Sequence, residues 1–407
     1  MKNDSNYPFM DNKLELEERV EDLLGRLELE EKFGLLSGGT SWSTKPIERL
    51  GIKPMYMTDG PHGIGPHSSG EKECTYFPVG ICRTATWNPE LSEQFGKALG
   101  EEVRDINYHI ILGPGVNIIR TPLCGRNFEY QTEDPYLNAQ MIVPAVNGIQ
   151  SMKIAACVKH YICNNQEMWR NWVNVKVSQR ALEEIYFPAF KAASVKSDAW
   201  VYMSCYNRVN GLFGSEHEEL VRETLMKKWG FKGFLVSDWG ATNFTEGPSG
   251  CMRAGLSLEM PTTNRYELGW LKRELGENHF TIEQLNENIR RLLRVMFLVG
   301  LFDDEENLPE GSRNTKEHQA LARKIAEEGI VLLKNKGNVL PLNKINVKKI
   351  AVIGPNADVK FSEGGGSSKV KSPYEITPLA GMLKNCGEQI EITNDQGEID
   401  NCDAIIV

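Results

Sequence analysis

The sequence predicts an α/β fold: a (β/α)8 TIM-like barrel over residues 1–302, a linker and connecting helix over 303–345, and the N-terminal part of an α/β sandwich domain over 346–407. Three observations carry this expectation. Short apolar or β-branched runs alternate with amphipathic helical stretches from about residue 50 to 300, the rhythm of βα units on a parallel sheet. Six of those runs stop at polar or turn residues, as strands that feed the reactive face of a barrel do. A polar, turn-rich stretch, Asp303-Asp-Glu-Glu-Asn-Leu-Pro-Glu-Gly-Ser312, then separates this region from a new apolar run at Ile350–Ile353.

Met55–Asp59 ends at a carboxylate, His109–Leu112 at Gly-Pro-Gly, and Ala155–Val158 at Lys159-His160. Trp200–Met203 ends at Ser-Cys-Tyr-Asn, Phe234–Val236 at Ser-Asp-Trp239, and Leu256–Leu258 at Glu259-Met-Pro261. Helices are predicted over Leu14–Leu27, Glu30–Leu36, Pro89–Asp105, Gln179–Ala193, Glu216–Lys228 and Thr281–Leu298, with a connecting helix from Lys316 to about Lys334. In the Thr281–Leu298 segment, Ile282, Leu285, Ile289, Leu292, Leu293 and Met296 recur at helical spacing, which predicts a helix packed on the sheet. Ile350–Ile353, Gln389–Ile392 and Ala404–Val407 read as strands of a second α/β layer. The last of these stops in mid-strand, which implies a second domain cut short.

Composition narrows the function classes. The 407 residues are 41% hydrophobic and 25% charged, the make-up of a globular protein with a conventional core. A net charge of −9 disfavours binding to a phosphate backbone, so no nucleic-acid partner is expected. The N-terminus lacks an uninterrupted apolar signal core, and the longest apolar stretch, Val295–Phe302, is far short of the roughly 20 residues that cross a bilayer. No membrane partner is expected, and the chain reads as cytoplasmic. Nine cysteines without a Cys-x-x-Cys pair read as reduced thiols. Seven histidines without His-x-x-x-His spacing predict no metal, and Ile353-Gly-Pro-Asn-Ala357 lacks the glycine pattern of a dinucleotide site, so no cofactor is expected.

The chemistry-bearing residues sit at the run ends. Asp238, delivered by an apolar run beside Trp239, suits a nucleophile that attacks an anomeric carbon with an aromatic face next to it; a helix N-cap or turn carboxylate reads the same way. Lys159 and His160 are adjacent donors that could hold hydroxyls or lower a carboxylate pKa, or serve structure alone. Asp59 lies in a Gly/Pro turn where an Asx-turn is the plain alternative, and the same holds for Arg126 and Glu129 in Gly125-Arg-Asn-Phe-Glu-Tyr130.

Taken together the segments resemble the family 3 glycoside hydrolases of the β-glucosidase type across essentially the whole chain. The resemblance rests on Thr58-Asp-Gly-Pro-His-Gly63, Gly113-Pro-Gly-Val-Asn117, Pro122-Leu-Cys-Gly-Arg-Asn-Phe-Glu129 with Glu133-Asp-Pro-Tyr136, and Lys159-His160 with Asn164-Asn-Gln-Glu167. It continues through Ser237-Asp-Trp-Gly240, Leu258-Glu-Met-Pro261, Val331-Leu-Leu-Lys-Asn335 and Leu340-Pro-Leu342. It implies a retaining hydrolase of nonreducing terminal β-D-glucosyl residues in which Asp238 is the nucleophile. It further implies that Asp59, Arg126, Lys159, His160, Arg170, Met203, Tyr206 and Trp239 line the sugar pocket. Gly364-Gly-Gly-Ser-Ser368 resembles a loop of the second domain that reaches this pocket, which would place Ser367 or Ser368 at the sugar; a plain Gly/Ser turn is the alternative. The implied partner is a small oligosaccharide or β-glucoside, and a homo-oligomer is compatible with the sequence.

Two departures stand out. The family's turn after Asp-Gly-Pro usually continues to an Arg, whereas here Ile64-Gly-Pro-His67 follows, which leaves glucose against xylose specificity open. In β-glucosidase-type members the general acid/base is a Glu late in the second domain, beyond the segments present here. The loop that carries a histidine acid/base in the N-acetylglucosaminidase branch is also not present, since Lys159 leads into His-Tyr-Ile-Cys-Asn164. A retaining enzyme needs a second carboxyl about 5 Å from the nucleophile. The expectation is therefore a hydrolase impaired on natural glycosides unless Glu129, Glu167 or Glu259 substitutes; a sugar-binding protein without turnover is the alternative.

Overall fold

The computed structural model describes residues 7–70, 72–361, 365–386 and 388–407. Met1–Asn6 of the N-terminal segment and Gly364 of the Gly364–Ser368 loop lie outside the described residues. The chain divides into two units. The first runs to Gly329 and includes Ser367–Lys371; the second comprises Ile330–Gly366 and Ser372–Val407.

The first unit holds strands β1 (Gly38–Thr40), β2 (Ser43–Thr44), β3 (Met57–Asp59), β4 (Ile110–Leu112), β5 (Ala155–Tyr161), β6 (Asn174–Val175), β7 (Val201–Ser204), β8 (Arg208–Val209), β9 (Leu212–Phe213), β10 (Phe234–Val236) and β11 (Leu256–Leu258). Six of them form one parallel sheet in the order β11-β10-β7-β5-β4-β3. These are the six apolar runs read from the sequence. Apart from Asp59 at the end of β3, their residues are buried on both faces, as a parallel sheet covered by helices requires. Eight βα units were expected; among the described residues the sheet has six strands, and the N-terminal segment forms an antiparallel hairpin, β1–β2, in place of further βα units. That hairpin is bonded to both edges of the sheet. Gly38 N–H donates to Glu259 O at 3.0 Å beyond β11, while Thr44 N–H donates to Met55 O at 3.1 Å beside β3.

The helix Pro89–Asp105 forms as predicted because its start is encoded locally. Asn88 Oδ1 accepts from Glu90 N and Leu91 N, and Pro89 occupies the first turn, where its missing N–H costs nothing. Thr281 and Gln284 make a reciprocal capping box for Ile282–Leu298. Leu285, Ile289, Leu292, Leu293 and Met296 are buried there as the spacing predicted, but Ile282, the first residue of the helix, is exposed. The predicted helix Gln179–Ala193 is instead broken. Gln179–Ala181 passes into a wide π-type segment, Leu182–Tyr186, before a new helix starts at Pro188, whose ring cannot continue the hydrogen-bond ladder.

A 17-residue helix, Pro135–Ser151, was not expected from the sequence. It is capped by Asp134, whose Oδ1 accepts from Tyr136 N and Leu137 N, and it packs against Pro89–Asp105. Gly96 and Gly148 let the two backbones meet: a Cβ on Gly148 would overlap the Glu93 carbonyl, and one on Gly96 the Ala145 carbonyl. The helix Lys316–Glu328 is pinned to Pro89–Asp105 by His318, which lies between Glu101 (2.8 Å) and Glu102 (3.0 Å).

The second unit contains β12 (Lys349–Val352), β13 (Glu391–Thr393) and β14 (Ala404–Ile406), a parallel sheet in the order β13-β12-β14. Helix Pro378–Cys386 packs on it through Leu379, with Ile350, Val352 and Ile390 in a small core. Among the described residues no helix is long and apolar enough to cross a membrane.

Candidate active site

Every site side chain described below belongs to the first unit. Because the six strands run parallel, their carboxyl ends share one edge of the sheet, and the polar residues that follow them converge there. Asp59 ends β3, Lys159 and His160 lie near the end of β5, Tyr206 follows β7 by two residues, and Asp238 follows β10 by two. The β5–β7 register shifts between Val158 and Tyr161, across Lys159-His160, and such an irregularity re-aims side chains out of the strict alternation of a strand.

At the base lies a buried charge cluster built on Glu129. This carboxylate is fully buried, and one oxygen accepts from Arg126 Nε. The other faces Lys159 Nζ at 3.2 Å and accepts from Ser367 Oγ at 2.9 Å. Burial pushes the Glu129 carboxyl up, but the charges of Lys159 and Arg126 and the hydrogen bonds from Arg126 and Ser367 outweigh it and hold the pKa at about 2. Burial also disfavours the Arg126 cation, and the carboxylates around it more than compensate, so its pKa is raised. Lys159 reaches Asp59 Oδ1 at 4.0 Å. Burial raises the Asp59 pKa, an effect that Lys159 opposes.

Asp238 stands above this cluster, 7% exposed. Its Oδ1 accepts from Trp239 N at 2.7 Å. Its Oδ2 lies 3.6 Å from Arg126 Nη1 and 3.5 Å from His160 Nε2, and neither Oδ2 nor Nε2 makes a hydrogen bond among the described residues. Burial, reinforced by the Arg126, Lys159 and Arg170 cations, drives the His160 pKa well below 6.5, so the imidazole is neutral. Asp238 thus presents one free oxygen, flanked by a guanidinium and a neutral imidazole, to the space at the sheet edge.

The wall beside it is aromatic and cationic. Tyr206 O–H donates to Trp239 O at 2.9 Å, and the Arg170 guanidinium stacks over the Tyr206 ring at 4.1 Å while pairing with Glu167 at 2.7 Å. Burial and the Asp238 charge push the Tyr206 phenol up, so it stays a donor. Met203 is buried in β7, in register with Val236 of β10.

Hydrogen bonds and ion pairs therefore join Asp59, Arg126, Glu129, Lys159, His160, Asp238 and Ser367 in one network, and ring contacts and hydrogen bonds join Arg170, Tyr206 and Trp239 in a second that meets it at Asp238. Ser367 reaches Glu129, while Ser368 is buried. Among the three other carboxyls that could serve as an acid, Glu129 is buried and ionised. Glu259 is buried and accepts from Thr242 Oγ1 and the backbone N–H groups of Asn264, Arg265 and Tyr266, which shapes the loop after β11. Glu167 pairs with Arg170.

Sequence reasoning missed Trp42 and His67. Their rings stack 3.6 Å apart, and Trp42 leans on Trp239 at 5.2 Å, so the hairpin contributes an aromatic rim to the site. A Cβ on Gly65 would lie 2.6 Å from His67 Cε1, so the His67 ring fills the space beside the Asp59 turn. It also missed Tyr130 and Asn117, which contact His160 from 30 and 43 residues away, and Asn164, whose Nδ2 donates to the Tyr130 hydroxyl. Among the described residues, Glu274, Glu277 and His279 could share a metal ion, but they form a surface ion-pair group in and after the helix Leu268–Gly276 and belong to neither network.

Residues 39–295 match the glycosyl hydrolase family 3 N terminal domain, and residues 330–407 match the family 3 C-terminal domain. The chain is 39% identical to beta-glucosidase BoGH3A of Bacteroides ovatus over 94% of its own length and 54% of that protein. It is also 39% identical to thermostable beta-glucosidase B of Acetivibrio thermocellus, over 93% and 50%. Among solved structures, beta-glucosidase from Kluyveromyces marxianus in complex with glucose superposes with a TM-score of 0.83 at 38% identity, covering 92% of this chain and 46% of that one. Beta-glucosidase 3B from Thermotoga neapolitana in complex with alpha-D-glucose gives 0.85 at 35%, covering 93% and 55%. The chain spans about half the length of the relatives it matches.

Proposed function

The chain belongs to glycosyl hydrolase family 3, and from that premise we propose that it acts as a retaining β-glycosidase on nonreducing terminal β-D-glucosyl residues, with Asp238 as the nucleophile. The observation that carries this reading is the unbonded Asp238 Oδ2 held between Arg126 Nη1 and His160 Nε2. A carboxylate fixed through its other oxygen by Trp239 N is oriented for attack and keeps its nucleophilic oxygen free. Oδ2 bonds to the anomeric carbon as the bond to the leaving oxygen breaks and that oxygen takes the electron pair. Water then attacks the glycosyl ester and releases the sugar with retained configuration.

Asp59, Lys159, Arg126 and His160 offer charged or polar partners to the sugar hydroxyls, and Trp239 with Trp42 offers an apolar face. Glucose as the bound sugar is supported by the two similar solved structures that hold it. The barrel reading is supported by the hairpin that bonds to both edges of the six-stranded sheet. Residues 303–345 serve as the proposed link to the second α/β domain, although the helix Lys316–Glu328 within them packs in the first unit.

Protonation of the leaving group is the step for which the described residues offer least. Glu129 has no proton to give, and Glu259 and Glu167 are already engaged. General acid catalysis is worth about 10²- to 10⁴-fold. The chain by itself is therefore a competent nucleophile toward activated glucosides and a poor hydrolase of unactivated ones. This same observation favours a second reading, a sugar-binding protein without turnover.

A dinitrophenyl β-glucoside separates the two, because its leaving group departs without a proton. Dye release and intact mass are followed together. A burst near one equivalent with a glycosyl adduct, lost in Asp238→Ala, is the expected result. Glucose binding without burst or adduct would establish the second reading, and rapid turnover of unactivated glucosides would mean that a carboxyl of this chain supplies the acid.

A further inference from the structure

We infer that Asn117 is a positioning residue: its carboxamide stands in for a strand partner of His160 and so lets two consecutive residues, Lys159 and His160, both face the sugar site. The consequence for sugar binding rests on the proposed function; the geometry does not. In a regular parallel sheet, neighbouring residues of a strand send their side chains to opposite faces, and their N–H and C=O groups turn alternately to the two flanking strands. Lys159 and His160 depart from both rules. Lys159 Nζ lies 3.2 Å from Glu129 and 4.0 Å from Asp59, while His160 Nε2, on the next residue, lies 3.5 Å from Asp238. The β5–β7 register allows this: Val158 pairs with Tyr202 and Tyr161 with Ser204, so Lys159 and His160 together oppose Met203 alone.

A residue displaced from a ladder leaves its own N–H and C=O to be satisfied, and both residues here are buried, so partners are required. The segment after β4 supplies them. Pro114 O accepts from Lys159 N at 3.1 Å and Val116 N donates to Lys159 O at 2.8 Å, as a continuing strand would. At the next residue a side chain takes over from the main chain: Asn117 Oδ1 accepts from His160 N at 2.7 Å, and Asn117 Nδ2 donates to His160 O at 2.9 Å. The His160 N–H can only donate and its carbonyl can only accept, so the amide has one orientation and both of its ends are engaged. The clamp is itself fixed on either side. Asn138 Nδ2 donates to Val116 O at 2.8 Å and Asn165 Nδ2 to Ile118 O at 2.5 Å, and Asn117 between them is buried. Without the carboxamide, the partner left for the His160 backbone is β7, and regular pairing there would turn the imidazole away from Asp238.

Two variants of the full chain test this. Asn117→Ala removes the clamp. Asn117→Asp keeps its shape, and its carboxyl can donate to His160 O only when protonated, a form that burial favours. Glucose affinity is measured by calorimetry at pH 8 and pH 5, each variant against wild type at the same pH, with tryptophan fluorescence as the check of folding. Asn117→Ala should bind glucose about tenfold more weakly at both pH values, the worth of one or two hydrogen bonds, whereas Asn117→Asp should show that loss at pH 8 and recover to near wild type at pH 5. The His160 ¹Hε1–¹³Cε1 signal, assigned by its loss in His160→Gln, should follow the same course without sugar: displaced in Asn117→Asp at pH 8, back at its wild-type position at pH 5. A folded variant at pH 8 that keeps the wild-type affinity or leaves the His160 signal unmoved overturns the inference, as does Asn117→Asp equally impaired at both pH values. Being isosteric, Asn117→Asp decides where Asn117→Ala does not fold. If the wild type binds no glucose, the proposed function fails, whereas the positioning role is then decided by the His160 signal.

Discussion

Replacing Glu129 with Gln removes the one carboxylate that Lys159, Arg126 and Ser367 all contact, while keeping its shape. Two lines of reasoning give the cost. The Glu129 pKa falls from the usual 4.5 to about 2 in the folded chain, and at about 1.36 kcal/mol per unit this makes the ionised form worth on the order of 3 kcal/mol of stability. Removing one partner of a buried ion pair costs about 3–5 kcal/mol, because the cations left behind are buried without compensation. The two agree in scale. The sign follows from the depressed pKa: the stabilisation is fully present above pH 4.5 and is lost as pH falls toward 2. Urea unfolding of the first unit, followed by tryptophan fluorescence at pH 7 and pH 3, should show Glu129→Gln less stable by roughly 3 kcal/mol at pH 7, with a clearly smaller gap at pH 3. A gap below about 1 kcal/mol at pH 7, or one that does not narrow in acid, would refute the view that ionised Glu129 holds the cluster together.

Three further outcomes follow from the same structure. His318 is raised in pKa because hydrogen bonds to Glu102 and Glu101 outweigh the effect of burial. Its contribution is therefore full below its unfolded value of 6.5 and fades as pH rises through the higher folded value; the urea midpoint gap between wild type and His318→Gln should be larger at pH 6 than at pH 9. Gly148→Ala would drive a Cβ into the Glu93 carbonyl and should destabilise the first unit by about 1–3 kcal/mol, read from the same urea curves, whereas Gly276→Ala, with open space around it, should not. Trp42→Ala removes the ring that links His67 to Trp239, and in the proposed pocket it should weaken glucose binding about tenfold by calorimetry without abolishing adduct formation on Asp238.

How much of this was legible in the sequence depends on how far each cause lies from its effect. Pro89–Asp105 could be placed to the residue because Asn88, Pro89 and the amphipathic spacing act within one turn. The six core strands were visible as apolar runs, and Asp59, His160 and Asp238 stood out because such runs hand their polar successors to one sheet edge. The N-terminal hairpin was not visible, since Gly38–Thr40 and Ser43–Thr44 have no strand signature and exist through bonds to Glu259 and Met55 across the sheet. Pro135–Ser151 was hidden by Pro144 within it and by apolar residues too evenly spread to mark one face, although Asp134-Pro135 at its start is the same cap-and-proline signal that marked Pro89–Asp105. The site divides along the same line. A carboxylate at a strand end announces itself locally, whereas Glu129 takes its meaning from Lys159, 30 residues on, and from Ser367, 238 residues on. A turn carboxylate and a buried anion that organises the pocket are the same letter until the chain closes around it. Tyr130, the next residue, differs from a core aromatic only in a hydroxyl set between Asn164 and His160, and periodicity carries no record of where a hydroxyl lies.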